Sequence, residues 1–112
     1  MGDASLALIR GTLDLLILKA LSTGEKHGYA VSEWIERVTD GKLLVEEGTL
    51  YPALHRLARK GLVSAEWGVS ENNRRAKYYE LTKRGAKRLA SEETTWRSYS
   101  SAVDRALSEE TD

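Results

Sequence analysis

Residues 46–63 read EEGTLYPALHRLARKGLV, a stretch that combines a periodic apolar pattern with a cluster of basic residues. Leu50, Leu54 and Leu57 recur at three- and four-residue intervals, which predicts an amphipathic helix with one apolar face. Gly61 predicts the end of that helix, because glycine readily adopts the left-handed conformation that closes a helix. Three side chains that lie off the apolar stripe can donate hydrogen bonds: His55, Arg56 and Arg59.

The start of this helix can be placed in two ways. Thr49 is a suitable N-cap, and Pro52 would then fall in the first turn, where a missing N–H costs nothing. If the helix begins at Glu47 instead, Pro52 lies further inside and removes one backbone hydrogen bond. The first placement predicts that proline fixes the geometry of the end of the helix that approaches a partner.

The charge is distributed unevenly along the chain. The 112 residues include 17 basic and 17 acidic side chains, so the net charge is zero. Residues 55–88 nevertheless carry ten basic and three acidic residues, for a local net charge of +7, whereas the segments on either side are acidic. A local basic patch is the electrostatic feature expected of a nucleic-acid interface. The alternative is a solvated face that binds nothing.

Composition excludes several classes of protein. With 41% hydrophobic and 30% charged residues, the chain is expected to form one soluble globular domain. The absence of cysteine excludes disulfides and thiolate metal sites and suits a reducing cytoplasm. The most apolar stretch, 13–21, is too short to span a bilayer. Neither a nucleophile elbow nor a glycine-rich phosphate loop is present, so we expect no enzyme, cofactor or metal.

The remaining patterns predict the other elements. Helices are expected over 12–22 and 27–39, strands over 62–67 and 76–81, and a final helix that is capped by Thr82 and reaches about Glu109. A loop over 68–75 joins the strands. The predicted fold class is mainly α with a small β-hairpin. It is a winged helix-turn-helix in residues 1–82, followed by a long C-terminal dimerisation helix in residues 83–112.

This order of elements predicts how DNA would be bound. In a winged helix-turn-helix the last short helix lies in the major groove and the hairpin reaches phosphate or the minor groove. Arginine suits guanine edges and phosphates, because its guanidinium donates two parallel hydrogen bonds. The side chains expected to be free for DNA on this helix are Thr49, Tyr51, His55, Arg56 and Arg59.

Four motifs resemble the PadR family of bacterial transcriptional regulators: GTLDLLILKAL (11–21), HGYAVSEWI (27–35), the 46–63 stretch and RRAKYYELTKRG (74–85). The resemblance covers about residues 10–90. It implies a homodimeric repressor of a palindromic operator that a small molecule releases. A single C-terminal helix is similar to the shorter subfamily. The DNA contacts that these motifs and the helix pattern together predict are Lys26, His27, Tyr29, Thr49, Tyr51, His55, Arg56, Arg59, Arg74, Arg75 and Lys77.

The final helix carries an apolar seam. Leu89, Trp96 and Val103 recur every seven residues, which is typical of a helix that pairs with another helix. The expected dimer interface consists of Leu13, Leu18, Leu89, Trp96, Tyr99, Val103 and Leu107. A flat aromatic effector could stack beside Trp96, in a pocket with Tyr99 and Leu15. The alternative is that Trp96 only fills the interface.

One rival function stays open at the level of sequence. A winged-helix module that binds another protein, without specific DNA binding, would suit a net charge of zero and acidic chain ends. Its binding would lack the steep salt dependence of phosphate contacts.

Overall fold

The computed structural model describes residue 8 and residues 11–109. Its elements are α1 (Thr12–Ser22), β1 (Lys26–His27), α2 (Gly28–Val38), α3 (Glu47–Arg59), β2 (Val63–Val69), β3 (Arg75–Leu81) and α4 (Lys83–Ser108). The fold is mainly α with a small antiparallel sheet, which confirms the predicted fold class. The predicted domains also include residues 1–7, 9, 10 and 110–112, which lie outside the described residues.

The sheet has one strand more than the sequence predicts. Its order is β1-β3-β2, and both pairings are antiparallel. Strand β1 has two residues, and Lys26 and His27 lie opposite Tyr79 and Tyr78. Strand β1 was not predicted, because two residues carry no periodicity. His27 lies in β1 and is also the N-cap residue of α2, so the helix begins one residue later than predicted. The hairpin also pairs as far out as Val69 and Arg75, so its loop is shorter than predicted.

Helix α3 begins at Glu47, so the second of the two placements is confirmed and the one in which Thr49 caps the helix is wrong. Glu46 is the N-cap residue, and its carbonyl accepts hydrogen bonds from the N–H groups of Thr49 and Leu50, both at 2.9 Å. Pro52 therefore lies inside the helix and leaves the Gly48 carbonyl without its usual partner. Gly48 is exposed, so water can satisfy that carbonyl.

The predicted end of α3 is confirmed. Gly61 has a φ of 76°, in the left-handed region. Its N–H donates to the Ala58 carbonyl, and the N–H of Leu62 donates to the Leu57 carbonyl, both at 3.0 Å. This pair of bonds closes the helix and directs the chain into β2.

Helix α1 occupies the centre of the fold. It packs against α2, α3, α4 and β3. Ile17, Leu18 and Ala20 have no exposed surface in the single chain. They belong to the same core as the buried face of α3, which contributes Leu50, Ala53, Leu54 and Leu57.

Helix α4 is anchored at its start and uncovered at its end. The Thr82 hydroxyl accepts from the N–H of Gly85 at 3.0 Å and donates to the Gly61 carbonyl at 2.7 Å, which confirms Thr82 as the cap. Residues 101–109 are all exposed. No helix in residue 8 and residues 11–109 is long and apolar enough to cross a membrane.

Candidate nucleic-acid interface

A groove of about 690 Å³ lies between α3, the start of α2 and the β2–β3 hairpin. Three elements that are distant in sequence form its walls, so only the folded chain creates it. Of the predicted DNA contacts it brings together His27, Tyr29, Tyr51, His55, Arg74, Arg75 and Lys77. The predicted recognition helix and the predicted wing therefore share one surface.

The outward face of α3 carries small side chains toward its N-terminus and basic side chains toward its C-terminus. Gly48, Pro52, His55 and Arg59 follow one another at three- and four-residue intervals, and all four are exposed. An alanine Cβ at Gly48 would meet nothing within 4 Å. The N-terminal half of α3 can therefore approach a partner closely, and His55 and Arg59 extend from its C-terminal half.

Tyr51 forms part of the floor of the groove. Its ring packs against Gly28, the first residue of α2, and an added Cβ at Gly28 would lie 2.6 Å from Cε1 of that ring. Partial burial, with a smaller contribution from the carboxylate of Glu47, raises the pKa of the Tyr51 hydroxyl. Tyr51 therefore presents a neutral hydroxyl whose position depends on the absence of a side chain at residue 28.

His27 contacts both α2 and the hairpin at one side of the groove. Its Nδ1 accepts a hydrogen bond from the N–H of Ala30 at 3.2 Å, which caps α2 and leaves Nε2 to carry the proton of the neutral ring. That Nε2 lies 3.7 Å from Oε1 of Glu71 in the hairpin loop, and the His27 ring packs edge-on against Tyr78 at 5.4 Å. With 15% of its side chain exposed, His27 joins α2 to the hairpin and is largely enclosed.

The hairpin contributes an aromatic residue that the sequence reasoning missed. Trp67 is 55% exposed and lines the groove. The Arg75 guanidinium lies 4.3 Å from the centre of its ring, and Nζ of Lys77 lies 5.7 Å away. Lys77 is directly opposite Trp67 in the sheet, so alternation along the two strands could have revealed this cluster. The indole holds two cations toward the groove.

Four predicted contacts lie outside the groove. Thr49 and Arg59 are exposed elsewhere on α3. Lys26 donates from Nζ to the Thr23 hydroxyl at 2.6 Å and lines a separate hollow; its pKa is lowered by partial burial and by Arg37. Arg56 forms an ion pair with Asp14 of α1, because its position on α3 faces α1 rather than the groove. Arg56 is therefore paired within the protomer, and its contact with DNA stays a prediction.

The comparison with known families agrees with this arrangement. A sequence model of the transcriptional regulator PadR-like family matches residues 17–91, which run from α1 into the start of α4. The chain belongs to this family. It is accordingly a PadR-like transcriptional regulator, and the resemblance of its four motifs is confirmed.

Two relatives differ in how much of their length the chain covers. Uncharacterized protein X of Lysinibacillus sphaericus is 30% identical over 97 residues, which are 87% of this chain and 89% of that protein. Transcriptional regulator YqjI of Escherichia coli is 34% identical over 79 residues, which are 70% of this chain but 36% of that protein.

Solved structures share the fold over almost the whole chain. A transcriptional regulator from Clostridium thermocellum is 31% identical with a TM-score of 0.78, and the match covers 86% of this chain and 93% of that one. A PadR family transcriptional regulator from Eggerthella lenta is 32% identical with a TM-score of 0.75, covering 90% and 86%. The chain is similar to these regulators in its C-terminal part as well as in its winged helix.

A smaller cavity of about 280 Å³ lies between α1 and α4. It brings together Leu15, Trp96 and Tyr99, the three residues predicted for an effector pocket. The rings of Trp96 and Tyr99 are 6.4 Å apart and inclined by 37°. Within the described residues, no cluster of three or more His, Cys, Asp or Glu side chains could hold a metal ion.

The predicted dimer residues divide into two groups. Tyr99, Val103 and Leu107 are exposed at 62%, 38% and 79%, and Leu13 and Trp96 are half-buried. Leu18 and Leu89 are instead buried in the core of their own chain, at 0% and 8% exposure. Their inclusion in a dimer interface is therefore wrong, because α1 and α4 use these side chains to pack within the protomer.

Proposed function

We propose that this PadR-like regulator is a sequence-specific DNA-binding protein that acts as a homodimeric repressor. The observation that supports this most directly is the groove in which α3 and the basic hairpin share one surface. Residues 1–82 would bind DNA and residues 83–112 would dimerise.

In the proposed complex, α3 enters the major groove by its outward face. The small residues Gly48 and Pro52 let the helix approach the base edges, and His55 and Arg59 donate hydrogen bonds to bases or phosphates. Arg74, Arg75 and Lys77 of the hairpin meet the phosphate backbone. The contacts on α3 would carry sequence discrimination, whereas the hairpin contacts would carry affinity.

Dimerisation would set the spacing of the two recognition helices. One recognition helix reads few base pairs, so two copies would bind the half-sites of a palindrome, separated by about 34–36 Å or a multiple of it. The exposed Tyr99, Val103 and Leu107 provide the apolar surface for pairing. Val103 and Leu107 are four residues apart, so they share one face of α4.

Release by a small aromatic effector completes the proposal. Trp96 and Tyr99 line the cavity between α1 and α4, and offset aromatic rings are suited to a flat ligand. Such a ligand would release DNA only if it bound two conformations of the dimer unequally.

The test is binding of the purified protein to its own upstream DNA and to a scrambled sequence of equal length, at two salt concentrations. We expect tighter binding to the upstream DNA and an affinity that falls steeply with salt, because phosphate contacts release counterions. Equal and weak binding to both sequences would contradict the proposal.

A protein-interaction module is the second candidate function. The outer face of the hairpin favours it, since Glu25, Glu66 and Glu80 line a shallow hollow there with no basic residue among its lining. Affinity for a basic protein partner, together with weak DNA binding that does not depend on sequence, would support this alternative.

A further inference from the structure

One ion pair joins the recognition helix to α1. Nη2 of Arg56 donates to Oδ1 of Asp14, which lies 42 residues earlier in the chain. The two side chains are 42% and 27% exposed, so the contact is partly shielded from water. Of the other ion pairs in residue 8 and residues 11–109, Arg97–Glu93 lies within α4 and His27–Glu71 joins α2 to the hairpin loop.

The apolar contacts of α3 determine which face of the helix is buried, and a contact at the flank of the helix adds to them. Leu50, Leu54 and Leu57 hold α3 in the core, but hydrophobic burial is non-directional. A charge-assisted hydrogen bond is directional, and it is made at the flank of the helix, between the buried face and the outward face. The Arg56 contact can therefore set how far α3 turns about its axis, and thereby where His55 and Arg59 point.

Asp14 is well placed to receive this contact. It lies in the first turn of α1, where the helix dipole favours a negative charge. Its neighbours Thr12 and Leu15 line the cavity beside Trp96. The ion pair thus connects α3 to the segment of α1 that borders the cavity between α1 and α4.

We propose that Arg56 is a positioning residue, which through its ion pair with Asp14 fixes the orientation of α3 for DNA, and that it does not read DNA itself. This inference rests on the proposed function. Two groups of measurements, one with DNA and one on the free protein, distinguish a failure of the inference from a failure of the proposed function.

The DNA measurement compares Arg56→Gln, Asp14→Asn and the double variant for affinity to the upstream DNA. If the ion pair positions α3, each single variant should bind about fivefold more weakly, and the double variant no more weakly than either. If Arg56 contacts DNA directly, Asp14→Asn frees its guanidinium and leaves binding equal or tighter. That result would overturn the inference.

Two further variants serve as controls in the same assay. Arg59→Gln removes a proposed direct contact and should reduce the salt dependence of binding, whereas Arg56→Gln should leave that dependence as it is. Arg97→Gln breaks an exposed ion pair within α4 and should leave affinity unchanged. A loss of salt dependence in Arg56→Gln equal to that in Arg59→Gln would assign Arg56 to phosphate and overturn the inference.

The measurement on the free protein is amide hydrogen exchange in α3. Asp14→Asn should raise exchange at residues 55–59 relative to the unaltered chain, because α3 is held less firmly. Unchanged exchange would overturn the inference. If the unaltered protein fails to prefer its upstream DNA while exchange rises as expected, the proposed function fails and the positioning contact stands.

Discussion

Replacing Gly85 with alanine should destabilise the protein, because the start of α4 lies directly against the start of β2. A Cβ at residue 85 would lie 2.0 Å from the carbonyl oxygen of Leu62 and 2.8 Å from Cδ1 of Leu81. Real Cβ atoms essentially never approach closer than 3.0 Å, so a backbone segment must move by about 1 Å.

That movement opposes three hydrogen bonds. The Leu62 carbonyl accepts from the N–H of Thr82 at 3.2 Å, and the Thr82 hydroxyl bridges the Gly61 carbonyl and the N–H of Gly85. Overpacking costs about 1–3 kcal/mol, and loss of the cap adds roughly 1 kcal/mol. The better helix propensity of alanine returns at most about 1 kcal/mol. The expected net loss is about 1–3 kcal/mol of a total stability of roughly 5–15 kcal/mol.

Urea unfolding followed by circular dichroism measures this loss, at one fixed protein concentration because the stability of the proposed dimer would depend on concentration. With a slope of about 1–3 kcal/mol per molar urea, the midpoint should fall by roughly 1 M. Gly48→Ala is the matched control, because residue 48 is also helical but faces open space; it should gain about 0.5–1 kcal/mol. Equal effects of the two substitutions, or an unchanged midpoint for Gly85→Ala, would refute the packing argument.

Three other predictions test the two sites and the core. Trp67→Ala should weaken DNA binding by about 0.5–1 kcal/mol and leave stability nearly unchanged, because the exposed indole holds Arg75 by a cation–π contact. If Arg75→Ala weakened binding equally with and without Trp67→Ala, the two residues would act independently and the reasoning would be contradicted. Burial raises the pKa of the Tyr79 hydroxyl, with a smaller effect of Tyr51, so stability present below pH 10 should be lost as pH rises above that value. The fall in the urea midpoint between pH 8 and pH 11 should be smaller in Tyr79→Phe than in the unaltered chain. In a Trp34→Phe, Trp67→Phe variant, aromatic compounds that release DNA should quench the fluorescence of Trp96, and release without quenching would remove Trp96 from the effector site.

Local signals predicted the elements that local interactions determine. The bounds of α1, the Thr82 cap of α4 and the left-handed end of α3 at Gly61 were all predicted correctly, because each depends on residues within one or two turns of the chain. Strand β1 was missed for the converse reason. Its two residues are extended only because Tyr78 and Tyr79 supply their hydrogen-bond partners.

The start of α3 shows how two local signals can compete. Thr49 and Pro52 favoured a later start, but the carbonyl of Glu46 accepts from two N–H groups and begins the helix one turn earlier. The exposed position of Gly48 lowers the cost of the bond that proline removes. Burial and exposure decided between the two placements, and neither is visible in a short window of sequence.

The sequence alone predicted the family, the order of the elements other than β1 and about half of the residues that line the groove. Helical spacing placed Tyr51 and His55 off the apolar face, and the basic segment indicated the hairpin. Tertiary structure decided what became of Leu18 and Arg56. A side chain on the flank of a helix can face solvent or a neighbouring helix, and the choice for Arg56 depends on Asp14, 42 residues away, which only packing of α3 on α1 brings into contact.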